Sequence, residues 1–184
     1  MIAKETTRRD IDAKISKMGE YVKIDYLSSC LKQPLDFDTR KFVLTSLSDS
    51  YIARGMFSDA GKMMLIASEI NTSFQNKLND YVKTMDLFVR GNDTEKVISV
   101  MGRALVIAND TQKNEIKNKV KSFYNLQAEL LIKKNKRRQA ITLYENLLDL
   151  ELNDSERKEV QDKLLNLYHA LGLMKEYYIL KRKK

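Results

Sequence analysis

Residues 44–67 read LTSLSDSYIARGMFSDAGKMMLIA. Leu44, Leu47 and Tyr51 recur at helical steps before Gly55, and Phe57, Ala60, Met64 and Ala67 recur at helical steps after it. Two amphipathic helices joined at a glycine are predicted. The arrangement repeats along the chain: an apolar helix, a Gly or Asn, an apolar residue shortly after it, then a second apolar helix. Taking Gly19, Gly55, Asn92, Asn135 and Gly172 as markers, the intervals are 36, 37, 43 and 37. Each marker suits a helix C-terminus, where a left-handed residue is easiest for Gly and tolerated by Asn.

Outside this stretch the helical period persists. Ile116, Val120, Phe123, Tyr124, Leu130 and Leu131 keep steps of three and four, as do Leu164, Leu165, Tyr168 and Leu171. Alternation with period two never lasts a strand's length, and one proline in 184 residues leaves little turn punctuation for a β protein. About ten helices with short turns are expected.

On these residues the chain resembles the tetratricopeptide repeat family. Leu44, Leu47, small Ser48 and Tyr51, then Phe57, Ala60, Met64 and Ala67, stand where that pattern asks for large, small and aromatic residues. Tyr81, Met85 and Phe88 with Val97, Met101 and Ala104 form another unit, and Tyr124, Ala128 and Leu131 with Ala140 and Tyr144 a third. Ile11, Ile15, Tyr21, Ile24 and Leu31 match at the start, and Tyr168 and Gly172 at the end. The chain departs from the pattern at Gln127, Met85 and Leu165, in its longer intervals, and in lacking the closing prolines apart from Pro34.

The resemblance implies an all-α fold: an α-solenoid of about five antiparallel helix pairs in a right-handed superhelical array, with 1–184 as a single repeat domain. Its units would cover residues 5–34, 39–71, 74–109, 111–153 and 155–184, with a basic tail at 181–184. One pair alone cannot bury its apolar face, and stacking buries a continuous core. The resemblance also places the first helix of each pair on a concave, ligand-binding face. Ala13, Asp49, Asp86, Glu129 and Asn166 would then share one row, with Ile52, Val82, Val89 and Ile132 as apolar neighbours. The Lys/Asn clamp with which some relatives hold a C-terminal carboxylate is absent there. Asp49, Asp86 and Glu129 are instead expected to engage a Lys- or Arg-bearing segment of a partner protein.

Composition narrows the chemistry. Cys30 is the only cysteine and His169 the only histidine, which excludes an intrachain disulfide and a Cys/His zinc cluster. Phosphate-loop, nucleophile-elbow and His-Glu-x-x-His signatures are missing, so no catalytic residue, metal, cofactor or small-molecule substrate is assigned. No apolar run reaches membrane-spanning length, and residues 1–18 lack a signal-peptide core, so a cytoplasmic location without membrane insertion is expected. Four Asn-x-Ser/Thr sites, at Asn71, Asn92, Asn109 and Asn153, precede amphipathic runs and are read as helix caps.

Charge gives a second functional reading. The net charge is +8, and residues 111–138 hold nine Lys or Arg against Glu115 and Glu129. Residues 139–180 are net acidic and 181–184 basic again. The interval of 43 leaves about seven extra residues, or two turns of helix, opening near Thr111. Lys113, Lys117 and Lys121 would lie along that overlong helix as a basic ridge. With Lys133, Lys134, Lys136, Arg137, Arg138 and the tail, they are the alternative site, contacting phosphates of a nucleic acid or the ribosome.

Overall fold

The computed structural model describes residues 4–183. Ten α-helices follow one another, and no strand occurs among the described residues: α1 Arg8–Ile15, α2 Glu20–Cys30, α3 Phe37–Ala53, α4 Phe57–Glu69, α5 Phe74–Arg90, α6 Thr94–Ile107, α7 Asp110–Lys133, α8 Arg137–Leu148, α9 Asp154–Ala170 and α10 Met174–Lys183. The extra residues fall where the interval of 43 places them. Helix α7 has 24 residues, against 17 in each of α3, α5 and α9.

Four of the five marker residues are left-handed: Gly55 at φ +72°, Asn92 at +56°, Asn135 at +58° and Gly172 at +68°. The same hydrogen bonds follow each time. The Met56 N–H donates to the Tyr51 carbonyl at 2.8 Å, Asp93 to Phe88 at 2.9 Å, Lys136 to Leu131 at 2.8 Å and Leu173 to Tyr168 at 2.9 Å. A second bond inside each turn runs from the marker's own N–H to the carbonyl three residues back. This is the Schellman arrangement, which satisfies carbonyls the helix end would otherwise leave open. Gly19 differs from the expectation: at φ −70° it is extended and serves as the N-cap of α2.

The Asn-x-Ser/Thr sites divide. Asn153 and Glu156 form a reciprocal capping box, Asn109 and Gln112 exchange the same pair of bonds, and Ser73 accepts from the Asn76 N–H. At the fourth site Asn92 is the left-handed turn residue and Asp93 makes no side-chain cap.

The chain expected as one repeat domain divides into two compact units, Met1–Ile116 and Lys117–Lys184, with the division inside α7. In the first unit α4 packs against both α3 and α5, α2 against α3, and α6 against α5. Ile11, Tyr26, Leu27, Cys30, Val43 and Leu47 form one core cluster, and Ala60, Met64 and Leu87 another. Small residues set the spacing: the buried Ser48 hydroxyl donates to the Ala60 carbonyl at 3.0 Å. At the end of α5, a Cβ on Gly91 would lie 2.9 Å from the Ser58 nitrogen. In the second unit α9 packs against α8 and α10 around buried Tyr144, Leu147, Val160, Leu164 and Tyr168.

One carboxylate links three helices of the first unit. Glu69, the last residue of α4, accepts from the Tyr81 hydroxyl of α5 at 2.8 Å and from Arg103 of α6 at 2.8 Å, and lies 3.0 Å from Lys77 of α5. Burial alone would raise its pKa, but Arg103, Lys77 and Tyr81 hold it down at about 2. Burial and the Glu69 bond push Tyr81 up to about 12.

Gly55→Ala is expected to lower unfolding stability by about 1–2 kcal/mol, because it forces an L residue into the left-handed region. Asn92→Gly is expected to leave it unchanged or slightly raised, both read by urea denaturation. Glu69→Gln is expected to cost about 1 kcal/mol at neutral pH, since the group is partly exposed. Because the folded pKa is depressed, the Glu69 contribution is present above the ordinary carboxylate range and is lost as pH falls towards about 2. The Gln variant should therefore converge on the parent in acid.

Candidate functional site

The acids expected on one row lie on different helices in different settings. Asp49, near the end of α3, is an exposed residue that borders a shallow depression of about 200 Å³ lined by Ile15, Glu20, Lys23, Ser46, Ser50 and Ala53. Polar Glu20, Lys23, Ser46 and Ser50 share this lining with Ala53 and the buried Ile15. Glu20 and Lys23 pair with each other at 2.9 Å, and hydrogen bonds from Lys23 and Ser50 lower the Glu20 pKa. Asp49 has no ion pair within 4.0 Å among the described residues. Crowding by its neighbours raises its pKa, and the more distant charges of Lys83 and Lys23 only partly offset this.

Asp86, on α5, is half-buried, and its pKa is raised by burial against a weaker opposing effect of Arg90, 3.8 Å away. The Arg90 guanidinium lies 4.1 Å over the Phe57 ring. Glu129, on the second unit's part of α7, already accepts from Lys163 at 3.2 Å.

The apolar neighbours require a correction. Val89 is only 1% exposed and belongs to the core, so it offers no open surface. Ile52 packs against the Ala60, Met64 and Leu87 cluster. Val82 and Ile132 are half-buried. The cause is the helical period itself: α5 is packed by α4 on one side and α6 on another, so a wider arc of its circumference is covered than one face would require.

The basic residues also divide, and the expected ridge along α7 does not stand free. Lys113 pairs with Asp110 at 3.0 Å, Lys117 with Glu151 at 2.6 Å and Lys121 with Glu156 at 2.8 Å. The acidic 139–180 segment thus supplies the partners for the basic residues of α7 within the second unit. Their signal was present in the charge alternation, but not the register that joins Lys117 to Glu151 and Lys121 to Glu156. Lys133, Lys134, Lys136, Arg137 and Arg138 are exposed around the α7–α8 turn. Of the tail, Lys181 and Arg182 are exposed on α10, and Lys184 lies outside the described residues.

A second depression, of about 410 Å³, lies within the Lys117–Lys184 unit. Asn118, Ser122 and Asn125 of α7 face Glu156 and Glu159 of α9 across it, and Lys163 donates to Asn125 at 2.9 Å. His169 is exposed, its ring 6.1 Å from that of Tyr177.

These observations define an all-α protein, and none of its described helices is long and apolar enough to cross a membrane. No family model matches the chain, and no curated protein matches it.

The raised pKa of Asp49 has a sign that can be tested. A carboxyl whose pKa is higher in the fold than in the unfolded chain destabilises the fold when ionised. Asp49→Asn is therefore expected to leave stability unchanged or raised at neutral pH, and the difference should vanish as pH falls below the carboxylate range. Urea denaturation at several pH values checks this.

Proposed function

We propose that the protein is a non-catalytic, cytoplasmic adaptor built of tetratricopeptide-like helix pairs, and that it holds a Lys- or Arg-bearing segment of a partner protein. The observation that carries this reading is Asp49: a crowded carboxylate beside an open polar depression, with no cation in direct contact among the described residues. An incoming ammonium or guanidinium would lower its pKa to the ordinary range and supply the missing ion pair. Asp86 would join it by exchanging the long 3.8 Å approach of Arg90 for a closer partner. Exposed ion pairs alone bind weakly, so the partner's apolar atoms must also cover the exposed Ala53 beside the depression.

A screen of extended Lys- and Arg-bearing peptides, followed by calorimetry on the hits, tests the reading. Asp49→Lys should weaken binding by about tenfold or more, equivalent to about 1.4 kcal/mol. Asp86→Lys should have a smaller effect, and salt should weaken the parent's binding. Peptides that bind the Asp49→Lys variant as well as the parent would show that the groove acids do not hold the partner.

A further inference from the structure

Many of the cations of this molecule have partners among its own side chains. Lys77, Lys117, Lys121 and Lys163 sit within 4.0 Å of carboxylates, and Arg54 and Arg90 stack on the rings of Tyr21 and Phe57 at 3.7 and 4.1 Å. Lys133, Lys134, Lys136, Arg137 and Arg138 do neither. All five side chains are exposed, and among the described residues no ion pair or ring contact reaches them. A solvated face of the kind found elsewhere on this chain would interleave acids with these cations, as Asp110, Glu151 and Glu156 do for Lys113, Lys117 and Lys121.

Their placement sharpens the imbalance. The left-handed Asn135 reverses the chain between Lys133, which ends α7, and Arg137, which begins α8, so five cations gather at one turn. The start of α8 is the positive end of that helix's dipole, where cations are unfavourable. Lys136 provides no side-chain cap and the first turn of α8 holds no acid. Lys133 and Lys134 sit at the favourable negative end of the α7 dipole, but Lys136, Arg137 and Arg138 have no such offset among the described residues, and an external polyanion would relieve their repulsion.

We propose that the α7–α8 turn binds the phosphodiester backbone of duplex nucleic acid, a property independent of the groove reading. Arg137 and Arg138 can each grip a phosphate with a two-pronged hydrogen bond, and the three lysines add charge without directional demand. No aromatic residue occurs between 125 and 143, so the patch has nothing on which to stack an unpaired base, and the backbone of a duplex is the better match. An anionic bilayer fits less well. Leu126 and Leu130 are exposed beside the cations, but Glu129 stands between them on α7 and opposes burial in a negatively charged surface.

Fluorescence anisotropy of the full chain with an RNA duplex of about 20 base pairs tests this. Five phosphate contacts imply a slope of about −4.5 in log affinity against log salt, a loss of about 500-fold between about 50 and 200 mM. Replacing Lys133, Lys134, Lys136, Arg137 and Arg138 together by Gln should abolish binding at low salt, while Lys113→Gln with Lys117→Gln should retain it within about twofold. The five-site variant should be at least as stable as the parent at low salt, which separates lost binding from lost folding. A DNA duplex bound with a similar slope supports recognition of the backbone. Absence of duplex binding at low salt, equal loss in both variants, or preference for phosphatidylserine vesicles or polyglutamate over duplex would overturn the proposal.

Discussion

A backbone hydrogen bond that spans five residues, made possible by one left-handed Gly or Asn, is repeated four times in this chain, and the placement of the helices depends on it. The carbonyls that accept it belong to Tyr51, Phe88, Leu131 and Tyr168. Phe88 and Tyr168 are buried, and Tyr51 packs against a core cluster, so residues that close a turn also anchor the packing beside it. Chain reversal and burial are thereby fixed together. A helix that overran its turn would withdraw an aromatic side chain from the core as well as lose two hydrogen bonds. The first connection, through extended Gly19, lacks this coupling and joins the eight residues of α1 to α2.

Electrostatics act on a different scale. Most of the ion pairs are at least partly exposed, and such pairs contribute little individually. What they determine is which charges remain for a partner. Lys117 and Lys121 are taken up by Glu151 and Glu156, and Glu129 by Lys163, whereas Asp49 in the first unit and the cations of the α7–α8 turn in the second are among the charges with no ion pair within 4.0 Å among the described residues. Two surfaces of opposite charge result, each free of direct internal neutralisation among the described residues.

Helix content and turn positions were legible in the sequence because both rest on local physics. Period and a Gly or Asn at the stop suffice to locate Gly55, Asn92, Asn135 and Gly172, and an interval of 43 suffices to foretell a helix of 24 residues. The role of Gly19 was not legible, since a glycine before an apolar run suits an N-cap as well as a C-terminus. Side-chain exposure was read less well. Whether Val89 faces outwards depends on how many neighbours cover α5, and whether Lys117 is free depends on the register between α7 and the start of α9. Both are non-local facts. The contrast between paired Lys117 and uncompensated Arg137 became visible only once the acids had positions.

Amide hydrogen exchange tests most directly whether four equivalent turns close the helices. Met56, Asp93, Lys136 and Leu173 lie outside or at the edge of regular helix, and in open loops their N–H groups would exchange freely. All four should be protected to a degree comparable with interior helical amides of the same unit, and Gly19, which makes no such bond, should not. Free exchange at these four amides, with protection confined to the helices, would contradict it.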